Sequence, residues 1–202
     1  MLKMINLENS FLKKDLEEET IKNFIFESNQ NNIILKNVTF ENCIFRDVNF
    51  SNIEFDGVDF VNVIFENCDL SNKSFNERLL KHVIFKNCKL IGTSFIDGFM
   101  KKIEFMKVSA RYINMSGTKI NDMKIIDSDF SESSFIESCF KNIELMNVKF
   151  NKAEFLKTPL NGVDFSSSDI TDVMFDLMSV KGMVVNQFQC VELANLIGVQ
   201  VN

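Results

Sequence analysis

The chain is poor in the residues that usually carry chemistry. Its 202 residues include one histidine, one tyrosine, one proline, seven glycines and no tryptophan. The five cysteines are an odd number with no CxxC pair, and the single histidine, His82, has no ligand-spaced partner, so neither metal nor thiol-redox spacing is present. No glycine-rich phosphate loop, nucleophile elbow or paired-carboxylate motif stands out. No apolar run approaches the roughly 20 residues of a membrane span. The opening segment, MLKMINLENSFLKKDLEEET, is too acidic and polar for a secretory signal. With a net charge of −6 and a pI of about 5.0, this composition predicts one cytoplasmic domain without cofactor, metal or membrane partner.

What the chain does have is phenylalanine, 22 of them, and a period. Counting in fives from Leu35 to Val185, every landing is apolar: Phe40, Phe45, Phe50, Phe55, Phe60, Phe65 and so on through Phe175 and Val180. With 46% apolar residues overall, thirty-one such hits in a row would arise by chance about once in 10¹⁰ trials. Five is neither the 3.6 of a helix nor the 2 of a plain strand. It fits a short strand followed by a corner. Two residues before each centre stands a small or β-branched residue, as at Val38, Cys43, Val48, Ile53, Val58 and Val63. Residues two apart on a strand share a face, so both point inward. The other three positions hold most of the Asn, Asp, Glu, Lys and Ser, which suit corners and solvent. Cys43, Cys68 and Cys88 fall on the small inward position and read as buried thiols. Cys68 and Cys88 are four repeats apart, and a reducing cytosol opposes a disulfide between them.

In runs such as FENCIFRDVNFSNIEFDGVDF and FSESSFIESCF the sequence resembles the pentapeptide-repeat proteins. That resemblance covers residues 33–185. It implies an all-β fold, a right-handed four-sided parallel β-helix of about twenty residues per coil. Residues 33–185 then make seven to eight coils, about 35 Å long at ~4.8 Å per rung, and both ends need covers. Residues 1–32 are read as an N-terminal cap and loop. Within them 11–22 have helical propensity, with Phe11, Leu12 and Leu16 as the apolar stripe, and 27–32 form a loop. Residues 186–202 are read as a C-terminal helix and dimerisation tail, with Gly198 at the helix C-cap.

The tail is similar to that of the quinolone-resistance (Qnr) branch of the family, in Leu196, Ile197, Gly198, Val199 and Val201. LLKHVIFKNCKL (79–90) and the interruption VSARYINMSG (108–117) also look like parts of that branch. The resemblance implies an end-to-end homodimer, here through Phe188, Val191, Leu193, Leu196, Ile197 and Val199. It also implies binding to DNA gyrase or topoisomerase IV by a non-enzymatic rod that imitates duplex DNA, with no direct nucleic-acid contact. Some members protect the enzyme from fluoroquinolones and some inhibit it. Two departures stand out. The period runs from 35 to 185 with no inserted loop, and the charge is banded. Residues 41–70 hold seven acids and one base, whereas 73–89 hold Lys73, Arg78, Lys81, Lys86 and Lys89 against Glu77 alone. The acids Glu54, Asp56, Asp59, Glu66 and Asp69 form the densest candidate partner surface, or else a solvated face. Lys73 and Arg78 occupy inward positions, which predicts either snorkelling chains or a bulge in the wall. Three functions remain open: a topoisomerase-binding DNA mimic, a scaffold for another protein partner, and an enzyme with a site on the solenoid wall. The missing acid/base cluster argues against the last.

Overall fold

A computed structural model describes residues 3–6, 16–17, 19–27, 33–194, 196 and 198–200. The chain is a parallel β-solenoid. On one side the strands are β1 (Lys3–Asn6), β3 (Thr20–Lys22), β4 (Phe24–Glu27), β6 (Thr39–Arg46), β8 (Asp59–Glu66), β9 (Leu79–Lys86), β10 (Phe99–Met106), β11 (Lys119–Ile126) and β12 (Cys139–Met146). A second short sheet joins β2 (Leu16–Glu17), β5 (Ile33–Lys36) and β7 (Ile53–Asp56). From Thr39 onward the register is constant, as in Phe40↔Phe60↔Leu80 and Phe65↔Phe85↔Phe105. That offset is four repeats of five, so each coil holds four pentads. The regular eight-residue strands span about six turns, fewer than the seven to eight expected. Past Met146 the strands give way to isolated bridges.

The inward side follows the period. All but five of the thirty-one centres are buried, the half-buried ones being Phe55, Phe140, Leu145, Val180 and Val185. Phe45, Phe65, Phe85 and Phe105 stack down the axis, with ring centroids 5.0, 5.0 and 5.1 Å apart and planes within 9° of parallel. Each such contact adds about 1 kcal/mol beyond the area it buries. The second inward position is small because its side chain turns back on the wall. Thr93 Oγ1 donates to the Leu70 carbonyl at 3.0 Å and Thr118 Oγ1 to Phe95 at 2.7 Å. The Cys68 and Cys88 thiols do the same toward Phe45 and Phe65, at 3.4 and 3.3 Å. Both cysteines are free, and the neighbouring Cys88 thiol together with burial pushes the Cys68 thiol up.

The corners explain the polar letters of the repeat. Two residues after nearly every centre the backbone turns left-handed, with φ between +48° and +64° at Asn37, Asn42, Asp47, Asn62, Asn67, Asn87, Asp127 and their equivalents. Asn, Asp and Gly tolerate that region best. The side chains then form ladders of their own, Asn67 Nδ2 donating to Asp47 at 3.0 Å and Asn62 Nδ2 to Asn42 at 3.0 Å. His82 continues the second of these, 2.8 Å from Asn62. At Gly117 (φ +68°) an added Cβ would crowd Asp97 Oδ1, so a side chain there would have to displace that carboxylate.

Several expectations change at the ends and in the wall. The described part of the expected N-terminal helix is strand, β2 and β3. Phe11 and Leu12 lie outside the described residues, as does most of the expected loop, and Glu27 closes β4. The solenoid therefore begins before residue 33. Ile21 pairs with Phe40 and Phe26 with Phe45, one residue short of a full coil. Ladder pairing with the next coil outweighs local helical propensity here. No bulge occurs at Lys73 and Arg78, since Phe75 and Leu80 remain 2% and 1% exposed. Lys73 instead runs along the wall and donates to the Ser51 and Ile53 carbonyls at 3.0 and 2.8 Å. The segment 108–117 is not an interruption either, because Ala110, Ile113 and Met115 are fully buried in register.

One wall is broken. The first residue of each long strand donates its N–H to the preceding coil: Phe99 to Arg78, Lys119 to Gly98 and Cys139 to Thr118, each at 3.0 Å. Next in that series stands Pro159, the chain's single proline, which has no N–H to give. Among the described residues no backbone hydrogen bond joins 139–147 to 159–166. The neighbouring walls run on through the bridges Asp129↔Lys149↔Asp169 and Ser134↔Glu154↔Met174. Ile120, Met123 and Ile125 are at most 3% exposed, yet their successors Phe140, Ile143 and Leu145 are only partly buried. A crevice of about 290 Å³ opens there, lined by Ile125, Ile143, Leu145, Met146 and Gly162 among others.

Two outcomes follow from this packing. Phe85→Asp should abolish folding, since an unpaired buried carboxylate costs several kcal/mol; a soluble variant with cooperative melting and native circular dichroism would contradict it. The amides of Phe140, Asn142 and Leu145 should exchange faster with deuterium than those of Ile120, Asp122 and Ile125. Pro159→Thr restores the missing donor and should narrow that difference, at about 1 kcal/mol per ladder bond regained. Equal protection of the two sets of amides in the wild type would show that the wall is closed.

Candidate partner-binding surfaces

The five candidate acids do not share a wall. Glu54 and Asp56 flank centre 55, Asp59 precedes centre 60, Glu66 follows centre 65 and Asp69 precedes centre 70. Those are four successive pentads, so the acids go around one coil rather than along the axis. Their surroundings differ as well. Glu66 lies between two cations, accepting from Arg46 Nε at 3.1 Å and Lys86 Nζ at 2.8 Å, which hold its carboxyl below the usual range. Arg46 also reaches Glu27 at 2.8 Å, giving an axial ladder of alternating charge, Glu27–Arg46–Glu66–Lys86. Asp59 Oδ1 accepts the Leu79 N–H and Asp69 Oδ1 the Ser71 N–H, at 2.8 and 3.0 Å. Only Glu54 and Asp56 are exposed, and Asp56 pairs in register with Lys36. Counting acids along the sequence gave a band; the four-pentad coil spreads it around the rod.

The C-terminal end is organised differently. Helix α1 (Gln189–Ala194) starts in a capping box: Asn186 Oδ1 accepts the Phe188 and Gln189 N–H at 2.9 and 3.0 Å, and Gln189 Oε1 accepts the Asn186 N–H at 2.9 Å. The Gln189 amide also donates to the Phe165 and Ser168 carbonyls at 2.9 and 2.7 Å, tying the helix to the coil beneath it. Gly198 (φ +74°) and the Val199 N–H bonded to the Ala194 carbonyl at 3.1 Å close the helix, as the C-cap reading expects. Of the six candidate dimer residues, Leu193 and Leu196 pack on the core. Phe188, Val191 and Val199 are 76%, 46% and 46% exposed, and Ile197 lies outside the described residues. Leu177, Met178 and Val184, from the last turns of the rod, are exposed too, at 58%, 76% and 46%. Sequence reading missed these three. Leu177 and Val184 sit at corner and outward positions of the repeat, where polar residues are the rule, and Met178 is a large residue at the small inward position; those mismatches were the available signal.

Among the described residues no three His, Cys, Asp or Glu side chains converge as a metal site. No helix there is long and apolar enough to cross a membrane.

Comparison with known proteins agrees with the repeat. The family model described as "Pentapeptide repeat region" matches residues 58–134, and "Pentapeptide repeats (8 copies)" matches 33–72 and 128–171. No curated protein matches the chain. Among solved structures it is similar to HetL, a pentapeptide repeat protein involved in heterocyst differentiation regulation from the cyanobacterium Nostoc. Identity is 11% over 91% of this chain and 98% of that one, with a TM-score of 0.48. It is similar to full-length QnrB1, a plasmid-mediated fluoroquinolone resistance protein, at 14% identity over 89% and 100% of the two chains, with a TM-score of 0.36. A thylakoid-lumen pentapeptide repeat protein of Arabidopsis thaliana shares 18% identity over 48% of this chain and 67% of that one, with a TM-score of 0.29. With matched repeats spanning residues 33–171, the chain belongs to the pentapeptide-repeat proteins.

Proposed function

We propose that the chain is a non-enzymatic protein-binding rod, with the right-handed four-sided cross-section its family resemblance implies. Two copies join through their C-terminal ends, and the partner is a type II topoisomerase, DNA gyrase or topoisomerase IV, whose fluoroquinolone susceptibility the rod modulates. The observation that carries the dimer is the apolar end. Leu193 and Leu196 hold α1 to the rod while Phe188, Val191, Val199 and Met178 face solvent. An apolar cluster of that kind on an otherwise polar surface marks an interaction site. Support for the topoisomerase comes from the tail's similarity to the Qnr branch, while the continuous rod without inserted loops departs from that branch. Charge supports it less, because the acids encircle the rod and Glu66 is neutralised in place. That dispersal favours a second reading, a rigid scaffold for another protein partner.

Phe188→Glu with Val191→Glu should convert dimers to monomers with little change in melting temperature, since both side chains are exposed. A wild-type monomer by light scattering at micromolar concentration would remove the dimer. A gyrase supercoiling assay with and without ciprofloxacin tests the partner. Activity should change in proportion to added protein, binding should weaken as salt rises, and Glu54→Gln with Asp56→Asn should weaken it further. Absence of binding to either topoisomerase at low salt would leave the scaffold reading in its place.

A further inference from the structure

The coil register assembles one basic surface on this acidic chain. In the ladders Val61↔Lys81↔Lys101↔Asn121↔Lys141 the outward residue of one wall is repeatedly cationic. Beside that column runs a second, Leu79↔Phe99↔Lys119↔Cys139. Lys102 stands at the adjoining corner, next after His82 in its column. Across these four rungs the three columns hold five lysines and one acid, Asp122, whose carboxylate accepts the Asn142 amide at 2.8 Å, and Glu104 and Glu144 lie just beyond the Lys102 corner. Glu77 and Asp97 border the wall at its opposite corner. None of the five lysines makes an ion pair among the described residues, whereas Lys22, Arg46, Lys86, Arg111, Lys124 and Lys157 all do. Phe99 lies among them, 45% exposed on a flat strand face where the repeat normally places a polar residue.

We propose that this wall binds single-stranded nucleic acid. Rungs ~4.8 Å apart place Lys81, Lys101, Asn121 and Lys141 along about 14 Å of the axis, the reach of two to three nucleotides. The Phe99 ring, two residues along the strand from Lys101, is offered to one unpaired base. A sheet face that presents an aromatic beside lysines is a known way to hold unstacked bases. A peptide adding a strand would look for an unpaired edge, and among the described strands of this wall β12 offers it, two rungs away from Phe99 and Lys101 on β10. Glu77 and Asp97 on one border and Glu104 and Glu144 on the other confine the positive strip to about the width of one pentad, narrower than a duplex. A local strip of this kind is invisible in the net charge of −6. This inference is independent of the topoisomerase reading.

The test is fluorescence anisotropy of the full-length protein with a labelled oligothymidylate of about fifteen nucleotides. Contacts to about three phosphates predict that log K falls against log salt with a slope of about −2. Lys81→Gln, Lys101→Gln and Lys141→Gln together should weaken binding at least about tenfold and flatten the slope by about 2. Phe99→Ala should weaken it by roughly 5- to 100-fold at an unchanged slope, a signature that loss of charge alone cannot give. All four changes are outward, so melting should not move. The proposal is overturned if no binding is seen at about 50 mM salt. It is equally overturned if duplex DNA binds more tightly than the single strand. Labelled polyglutamate bound as tightly, with Phe99→Ala without effect, would make the wall a site for acidic protein segments instead.

Discussion

Axial stacking at a fixed offset of four pentads is the interaction on which the rest of the molecule depends. Each coil places an apolar centre directly over its predecessor, and rings such as Phe65, Phe85 and Phe105 meet face to face, with centroids 5.0 and 5.1 Å apart. Parallel ladders and ring stacks require the same axial spacing, so each reinforces the other. Because every coil contacts only its neighbours, an error in one place stays local, and the two ends are special. The left-handed corner residue is the counterpart of this stack. It lets the chain turn after each short strand, and its Asn and Asp side chains build a second ladder outside the wall.

The same geometry decides what the surface can offer. Neighbours along the axis are a full coil apart in sequence, while neighbours in sequence fall on different walls. A run of acids therefore becomes a ring, as with Glu54, Asp56, Asp59, Glu66 and Asp69. Lysines scattered through successive coils become a column, as with Lys81, Lys101 and Lys141. The alternating series Glu27–Arg46–Glu66–Lys86 is a third result, a ladder that cancels its own charge. Binding surfaces on such a rod are strips, and their character follows from residues at one phase of the coil.

Two sites depart from the repeat, and both matter for assembly. At Pro159 one missing N–H coincides with loss of pairing between two successive coils on one wall, while the adjacent walls hold the rod together. At the far end Gln189 serves the helix cap with its oxygen and the coil carbonyls with its amide, so α1 is both capped and docked by one side chain. The helix covers the last coil with Leu193 and Leu196 and leaves Phe188 and Val191 facing out.

The repeat, its two inward positions, the polar corners and the C-terminal helix with its Gly198 cap were all legible in the bare sequence. All of these are local or strictly periodic, and a period is visible without coordinates. The sequence also contained the N-terminal extension of the solenoid, since Leu16, Ile21 and Phe26 keep the five-residue step one residue out of phase. Helical propensity in 11–22 concealed it, because propensity is local and the pairing that overrides it is not. Only the tertiary structure decided how the pentads fall into coils of four, and with that which charges become neighbours. It also decided that Lys73 lies along the wall without bulging it, since the room for a long chain depends on carbonyls of the preceding coil at Ser51 and Ile53. And it alone showed the open wall, because the consequence of Pro159 depends on the Ser138 carbonyl one coil earlier, a relation that exists only once the coils are stacked.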